Sequence, residues 1–322
     1  MMRWLLVLVA VVAGPLLLAP REPVEMPPLF ESRRLDEGVG IYLDAMESRH
    51  DDIRPDSQKR VIWAGEPETR APLSLVYFHG FSASSQEIRP VPDLLAQAFG
   101  ANLVYTRFRG HGRDGDAMAE ARASDWLADA AEALAVARAT GDRVVILATS
   151  TGATVAAVAL QDPALRDRVA GVIFVSPNFG VNNRLAPLLT WPGARHWLPL
   201  LAGKRRSFEP RSPEQAAEWT TDYPSTAVLP MAALVAHARR LDYSAMTLPA
   251  LFYYSDADRV VRPDLTDRVL ARWGGAVTRI APDLGAQDDP FAHVIAGDIL
   301  SPGNTRAAVD NMTAWLAGVL AR

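Results

Sequence analysis

The chain has 322 residues and no cysteine, and its formal net charge at pH 7 is −4. A hydrophobic content of 49 % and a charged content of 22 % predict one large domain with a substantial core. The acidic balance argues against a nucleic-acid partner. The lack of cysteine excludes disulfides, cysteine metal sites and a thiolate nucleophile.

The N-terminal segment, residues 1–19, has the pattern of a signal peptide or membrane anchor. Arg3 precedes an apolar run over residues 4–19, which is shorter than the roughly 20 residues of a comfortable membrane span. We expect export to the periplasm or cell envelope, or membrane association through this segment, and leave its cleavage open. A buried cytosolic helix is the alternative. The proline-rich residues 20–35 are expected to form a linker.

Five short apolar runs with turn residues behind them predict buried strands. Continuous runs of this kind are typical of strands covered on both faces, as in a parallel sheet. The runs are residues 73–80, 101–108, 142–150, 169–176 and 250–256.

Helical patterns follow these strands along the chain. One begins at Ser124, the expected N-cap, and ends at Gly141, and another closes the chain. The alternation of strands and helices predicts an α/β fold over residues 36–322, with a mostly parallel central sheet and helices on both faces.

An insertion at about residues 180–247 interrupts this alternation. We find no convincing strand there, and its helical stretches begin with a segment rich in leucine and tryptophan. Long insertions in compact domains are usually functional, so we expect a helical cap over a site. A helical decoration that only covers a sheet edge is the alternative.

A candidate nucleophile follows the strongest predicted strand. Residues 144–157 read VVILATSTGATVAA, in which a strand passes through Ser150 directly into a small-residue helix. In a Gly-x-Ser-x-Gly elbow the serine lies at the apex of a tight strand-to-helix turn, with its hydroxyl exposed. Ala148 replaces the first glycine here. A serine that only caps the helix is the alternative.

The order of residues along the chain supplies an acid and a base for this serine. Folds with the elbow place the acid after the nucleophile and the histidine last. Asp256 and Asp258 follow the last predicted strand, and His293 is the only histidine after them.

An oxyanion hole needs two backbone N–H groups near the serine. Thr151, directly after the candidate nucleophile, supplies one of them. The second is expected from the loop at residues 78–84, where Gly80 lets the chain turn closely and Phe81 is the predicted donor. His79 is then expected to stabilise the loop rather than to act as a base.

These features resemble the α/β-hydrolase family from about residue 61 onward. More narrowly, they resemble its bacterial monoacylglycerol-lipase and carboxylesterase branch with a helical cap. The turn Arg-Gly-His-Gly at residues 109–112 adds to the resemblance. The chain departs from the family pattern at Ala148 and Ser255, where many members have glycine.

The resemblance implies Ser150 as nucleophile, Asp258 rather than Asp256 as acid, and His293 as base. It implies a serine hydrolase that cleaves a short- or medium-chain or monoacylglycerol-like lipid ester through an acyl-enzyme. An amidase, an aminopeptidase and an acyltransferase would use the same residues. A non-catalytic binding protein of the envelope is the alternative outside enzymes.

Neither a metal nor an organic cofactor is expected. Residues 110–115 satisfy the dinucleotide fingerprint Gly-x-Gly-x-x-Gly, but no clean helical pattern opens behind them. The chain has no His-Glu-x-x-His motif, and no two histidines stand at the spacing of helical metal ligands.

Overall fold

The computed structural model describes residues 18–322, so the segment predicted as a signal peptide or anchor lies almost wholly outside the described residues. Within that range no helix is both long and apolar enough to cross a membrane. The start of the proline-rich stretch lies against the folded part of the chain. Gly193 N–H donates to the carbonyl of Pro20 at 2.9 Å, and Glu22 forms an ion pair with Arg195 at 2.7 Å.

The fold is organised around a seven-stranded sheet. The described strands are β1 (Arg60–Ile62), β2 (Ala71–Phe78), β3 (Asn102–Tyr105), β4 (Gly141–Thr149), β5 (Val169–Val175), β6 (Arg205–Ser207), β7 (Asp222–Pro224), β8 (Ala250–Tyr253) and β9 (Val277–Ile280). The sheet order is β1-β3-β2-β4-β5-β8-β9, and all neighbours are parallel except β1 and β3. The five predicted strands are confirmed as β2, β3, β4, β5 and β8.

Helices cover both faces of this sheet. They are α1 (Val39–Glu47), α2 (Val91–Ala98), α3 (Ala123–Thr140), α4 (Thr151–Ala159), α5 (Pro163–Arg166), α6 (Ala194–Leu201), α7 (Pro213–Glu218), α8 (Val228–Ala238), α9 (Pro263–Leu270) and α10 (Thr305–Leu320). Along β4, Val144 and Ile146 belong to the core that contains α3 and α4, whereas Val145 and Leu147 belong to the core that contains α2 and α10. Because both faces are buried, the strand is apolar throughout.

The predicted N-cap of α3 is wrong. The helix begins at Ala123, with Arg122 in the cap position, whereas Ser124 was expected to cap it. The Asp125 carboxylate accepts a hydrogen bond from Arg122 N–H at 2.8 Å, so an acidic side chain in the first turn satisfies the free amide.

The cap between β5 and β8 is not wholly helical, contrary to the prediction. It contains α6, α7, α8 and an antiparallel pair of strands, β6 and β7. Arg205 holds this pair together and ties it to the domain below, through ion pairs of 2.5 Å with Asp222 and Asp116. Three-residue strands rich in charge carry no alternating apolar pattern, so they have no visible signal.

The strand order brings two loops together at the carboxyl edge of the sheet. β2 and β4 are neighbours, but the chain leaves β2 towards β3 on one side and leaves β4 towards β5 on the other. Ligands of open α/β sheets bind in the crevice at such a switch point. Phe81 follows β2 and Ser150 follows β4, so both candidate residues lie at this crevice.

Candidate active site

Ser150 occupies a sharp turn between β4 and α4. Its backbone angles are φ 51° and ψ −116°, a region in which serine is disfavoured. The turn is held in place because Ser150 N–H donates to the carbonyl of Val175 at 2.9 Å. At Gly152 a Cβ atom would lie 2.3 Å from the carbonyl oxygen of Phe78, so only glycine fits there. The hydroxyl of Ser150 is thereby presented at the end of the sheet.

The structure brings Ser150, His293 and Asp258 into one hydrogen-bonded chain. Ser150 Oγ lies 3.0 Å from Nε2 of His293, and the Nδ1 of His293 lies 2.7 Å from Oδ2 of Asp258. The other oxygen of Asp258 accepts from two backbone N–H groups at 2.8 and 2.9 Å. Asp256, the alternative acid, is exposed and forms an ion pair with Arg279 instead.

The surroundings of His293 favour a charged imidazole. Burial alone would lower its pKa, but the adjacent Asp258 carboxylate and its hydrogen bond more than offset this effect, so the pKa of His293 lies above its usual value. Glu87 and Asp289 contribute in the same direction. The arrangement therefore stabilises the positive charge that forms when His293 accepts a proton.

The residues predicted to supply the oxyanion donors, Phe81 and Thr151, line the cavity that contains Ser150. Thr151 N–H is the first of α4, and the first N–H groups of a helix lack intrahelical partners. Phe81 lies on the loop after β2, and both residues line the same cavity as Ser150. Within residues 18–322, neither amide donates a hydrogen bond to the protein. Both amides therefore lack a protein partner in the described residues, and their role as oxyanion donors stays a prediction.

Two buried side chains shape the loop that carries Phe81. His79 donates from Nδ1 to the carbonyl of Gly80 at 2.9 Å and accepts from Phe108 N–H at 3.1 Å. Burial lowers the pKa of His79 to about 4, so the ring is neutral. Its two hydrogen bonds connect the loop after β2 to the loop after β3. Glu87 accepts from Gly80 N–H at 2.7 Å.

Glu87 was not singled out by sequence reasoning, although it lies next to the candidate base. Burial raises the pKa of Glu87 to about 7, while its bond from Gly80 N–H and the nearby His293 act against this rise. Tyr77 also donates its hydroxyl to the same carboxyl oxygen at 3.0 Å. A lone Glu in a loop has no distinguishing pattern, and only the fold brings it to the site.

Asp289 is a second residue that the sequence did not reveal. Its carboxylate accepts from the N–H groups of His293 and Val294 at 3.1 and 3.0 Å, and it forms an ion pair with Arg211 of the cap. Burial raises the pKa of Asp289, but these backbone bonds and Arg211 outweigh that effect, so the pKa lies below its usual value. The loop that carries His293 is therefore fixed by a buried carboxylate.

The cavity above Ser150 has a volume of about 350 Å³ and mostly apolar walls. The cap contributes to these walls through Phe208, Trp219, Tyr223 and Met231. A second apolar cavity of about 350 Å³ lies within the cap and shares the walls formed by Val181 and Met231. A larger cavity of about 590 Å³ opens between residues 20–23 and α6, but Ser150, His293 and Asp258 do not line it.

Motifs for other chemistry lack a site in the described part of the chain. Residues 110–115 lead into the 3₁₀ turn Asp116–Ala119 rather than into an α-helix, so the turn offers no helix N-terminus to a pyrophosphate. Over residues 18–322 no group of three or more histidine, aspartate or glutamate side chains is arranged to hold a metal ion.

Comparison with known families decides the classification. The model of the serine aminopeptidase S33 family matches residues 69–281. The chain belongs to this family. This membership confirms the predicted relationship to the α/β hydrolases, and this S33 protein is an α/β hydrolase. No curated protein matches it.

Solved structures with the same fold include several lipolytic enzymes. A metagenome-derived lipolytic enzyme of the pair LipS and LipT aligns with a TM-score of 0.66 and 18 % identity, covering 84 % of this S33 protein and 100 % of the other chain. A soluble variant of monoglyceride lipase from Saccharomyces cerevisiae aligns with a TM-score of 0.60 and 12 % identity, covering 81 % and 91 %. Monoacylglycerol lipase from Paleococcus ferrophilus aligns at 0.56 and 13 %, covering 80 % and 98 %. Identities this low establish the fold alone, and the predicted α/β-hydrolase fold is confirmed.

Proposed function

We propose that this protein is a serine hydrolase that cleaves carboxylic esters through an acyl-enzyme. The observation that carries the proposal is the continuous hydrogen-bonded chain from Ser150 through His293 to Asp258, with steps of 3.0 and 2.7 Å. It ends on a serine held in a strained turn, which is the arrangement that activates a hydroxyl for acyl transfer.

In this mechanism His293 takes the proton from Ser150 as the hydroxyl attacks the carbonyl carbon of the ester. Asp258 orients the imidazole and stabilises its charged form. The amides of Phe81 and Thr151 bind the oxygen that becomes negative, and each such donor contributes on the order of 3 kcal/mol. His293 then protonates the departing alcohol, and a water molecule activated by the same residue releases the acid.

The cavity supports a lipid-like ester with a short or medium acyl chain. Its walls are largely apolar, and its volume of about 350 Å³ is near the lower end of the roughly 300–1,000 Å³ of small-molecule pockets. A monoacylglycerol-like ester fits this description. A longer chain needs access to the second cavity, beyond Val181 and Met231.

Cleavage of amide bonds is the second candidate. The family description names an aminopeptidase, and Glu209 on the cavity wall offers a carboxylate to a substrate ammonium group. An acyltransferase would use the same residues and pass the acyl group to an acceptor other than water. A non-catalytic binding protein would not react with a fluorophosphonate probe.

The decisive experiment compares p-nitrophenyl esters from acetate to palmitate with the corresponding p-nitroanilides. Ser150→Ala and His293→Ala should each reduce ester turnover by roughly 10⁴-fold or more. Asp258→Asn should also be severely impaired, whereas Asp256→Asn, the matched control, should retain activity. Turnover that survives in Ser150→Ala would overturn the proposal, and faster cleavage of anilides than of esters would favour the amide alternative.

We also infer that the chain is exported or tethered at the cell envelope. The support is the basic residue followed by an apolar run in residues 1–19. Cell fractionation of the full chain and of a form that begins at residue 20 tests this directly. Recovery of both forms in the cytosol would contradict it.

A further inference from the structure

One polar side chain on the cavity wall has an unsatisfied hydrogen-bonding atom. Asn178 follows β5 and lines the same cavity as Ser150. Its side chain is buried, since the residue is only 4 % exposed. Within the described part of the chain, its carbonyl oxygen Oδ1 has no hydrogen-bond partner. Buried polar groups are paired in most proteins, so an exception requires an explanation, and a ligand in the adjoining cavity would provide one.

The backbone of Asn178 is fixed to the elbow. Its N–H donates to the carbonyl of Ser150 at 3.0 Å, and its own carbonyl accepts from the Thr154 hydroxyl at 2.6 Å. These two bonds join the loop after β5 to the first turn of α4. Asn178 therefore cannot turn its side chain away by a local movement of the loop.

The orientation of the side-chain amide also follows from its contacts. The Nδ2 group donates to the Thr151 hydroxyl at 3.2 Å and lies 3.6 Å from the sulfur of Met231. A thioether sulfur accepts hydrogen bonds but cannot donate them, so the nitrogen of the amide faces Met231. The remaining atom, Oδ1, is then an acceptor without a donor.

The position of Asn178 relates this acceptor to the acyl part of a substrate. Asn178 contacts Thr151, whose N–H is one of the two oxyanion donors proposed above. It also contacts Met231, which separates the active-site cavity from the apolar cavity of the cap. An acyl chain that runs from the oxyanion hole towards the cap would therefore extend along the wall to which Asn178 belongs.

The electrostatics of the buried part of the cavity favour a neutral donor over a cation. Two of the carboxylates on the cavity wall are buried and already engaged, Glu87 by Gly80 N–H and Asp289 by Arg211, whereas the third, Glu209, is exposed on the cap. An uncharged hydroxyl satisfies the amide carbonyl without requiring a buried counter-charge.

We infer that Asn178 is a specificity-determining residue that accepts a hydrogen bond from a hydroxyl group on the acyl chain, close to the ester carbonyl, and thereby selects hydroxyacyl esters. This inference rests on the proposed ester hydrolysis and narrows its substrate class. A substrate that lacks the hydroxyl leaves Oδ1 buried and unpaired, and sites of this kind discriminate strongly against such analogues.

The test compares p-nitrophenyl butanoate with p-nitrophenyl 3-hydroxybutanoate in the wild type and in Asn178→Leu, which is similar in size and lacks the acceptor. The wild type should prefer the hydroxylated ester by about 10-fold in kcat/KM. Asn178→Leu should abolish this preference, because kcat/KM falls more on the hydroxylated ester than on the plain ester. Met231→Leu, which removes the sulfur contact of Nδ2 but leaves Oδ1 in place, should keep the preference.

The outcomes separate this inference from the function on which it rests. If Ser150→Ala removes turnover but the wild type and Asn178→Leu show the same preference, the role of Asn178 is overturned and ester hydrolysis stands. An equal loss on both esters would show that Asn178 only supports the fold of the elbow. A wild-type preference for an aminoacyl ester over the hydroxylated one would refute a hydroxyl as the donor. If neither ester is cleaved, both proposals fail.

Discussion

The strain at Ser150 makes a prediction about stability that is independent of any substrate. Replacing Ser150 by glycine removes the Cβ atom that makes φ 51° and ψ −116° unfavourable. Replacing it by alanine keeps Cβ and therefore keeps the strain. Both variants lose the same hydrogen bond to His293, so the loss of this bond cancels when their free energies of unfolding are compared.

The expected difference follows from two opposing effects. A non-glycine residue in a sparsely populated backbone region costs about 1–3 kcal/mol. Glycine has a more flexible unfolded state, which costs about 0.5–1 kcal/mol relative to alanine. These ranges give a difference of about 0–2.5 kcal/mol, and their midpoints predict that Ser150→Gly is more stable than Ser150→Ala by about 1 kcal/mol, although both are inactive.

Urea unfolding followed by circular dichroism measures this difference. The comparison requires that the free energy of unfolding depends equally steeply on urea concentration in the two variants. Thermal unfolding should place the glycine variant higher by no more than about 2–4 °C per kcal/mol, since the shift becomes smaller in larger domains. An alanine variant that is more stable than the glycine variant would refute the claim that the fold stores strain at the serine.

Three further predictions concern charge. His293 must be neutral to accept a proton, and its pKa is raised from 6.5. We therefore expect kcat/KM to increase with pH through an apparent pKa above 6.5. An increase of kcat/KM with an apparent pKa below 6.5 would contradict the assignment of His293 as the base. Glu87→Gln should reduce kcat about 5-fold above the Glu87 pKa of about 7, where the wild-type carboxylate stabilises the imidazolium, and the two pH profiles should converge below it. Lys59→Met removes the cation between Asp129 and Glu132 and should cost about 3–5 kcal/mol in urea unfolding, whereas the exposed control Lys204→Met should cost little.

The framework of the fold was predictable because its signals are local. β4 and β5 are continuous apolar runs, and a strand covered on both faces requires such a run. The elbow could also be found, since its serine follows the run directly and is succeeded by small residues. The candidate acid and base followed from chain order, because His293 is the only histidine after Asp258.

The parts that escaped prediction depend on neighbours distant in sequence. β6 pairs with β7 over only three residues on each side, and no period is measurable over so short a stretch. Asn178 and Glu87 are single polar residues in loops, and their significance arises only when β2, β4 and β5 place those loops side by side. The hydrogen bond from Arg122 N–H to Asp125 was not predicted, because the neighbouring Ser124 is a more usual residue type for the N-cap of a helix.

The cap is connected to the candidate base as well as to the substrate cavity. Asp289 holds the backbone of His293 with one carboxylate oxygen and binds Arg211 of the cap with the other. A displacement of Arg211 would leave a buried carboxylate without its cation, at a position one hydrogen bond away from His293. The cap residues on the cavity wall and this ion pair thus act on the same site from two directions. An insertion that only covered an edge of the sheet would explain neither the cap residues on the cavity wall nor the ion pair between Arg211 and Asp289. The structure therefore favours a cap that shapes the cavity and stabilises the loop that carries His293.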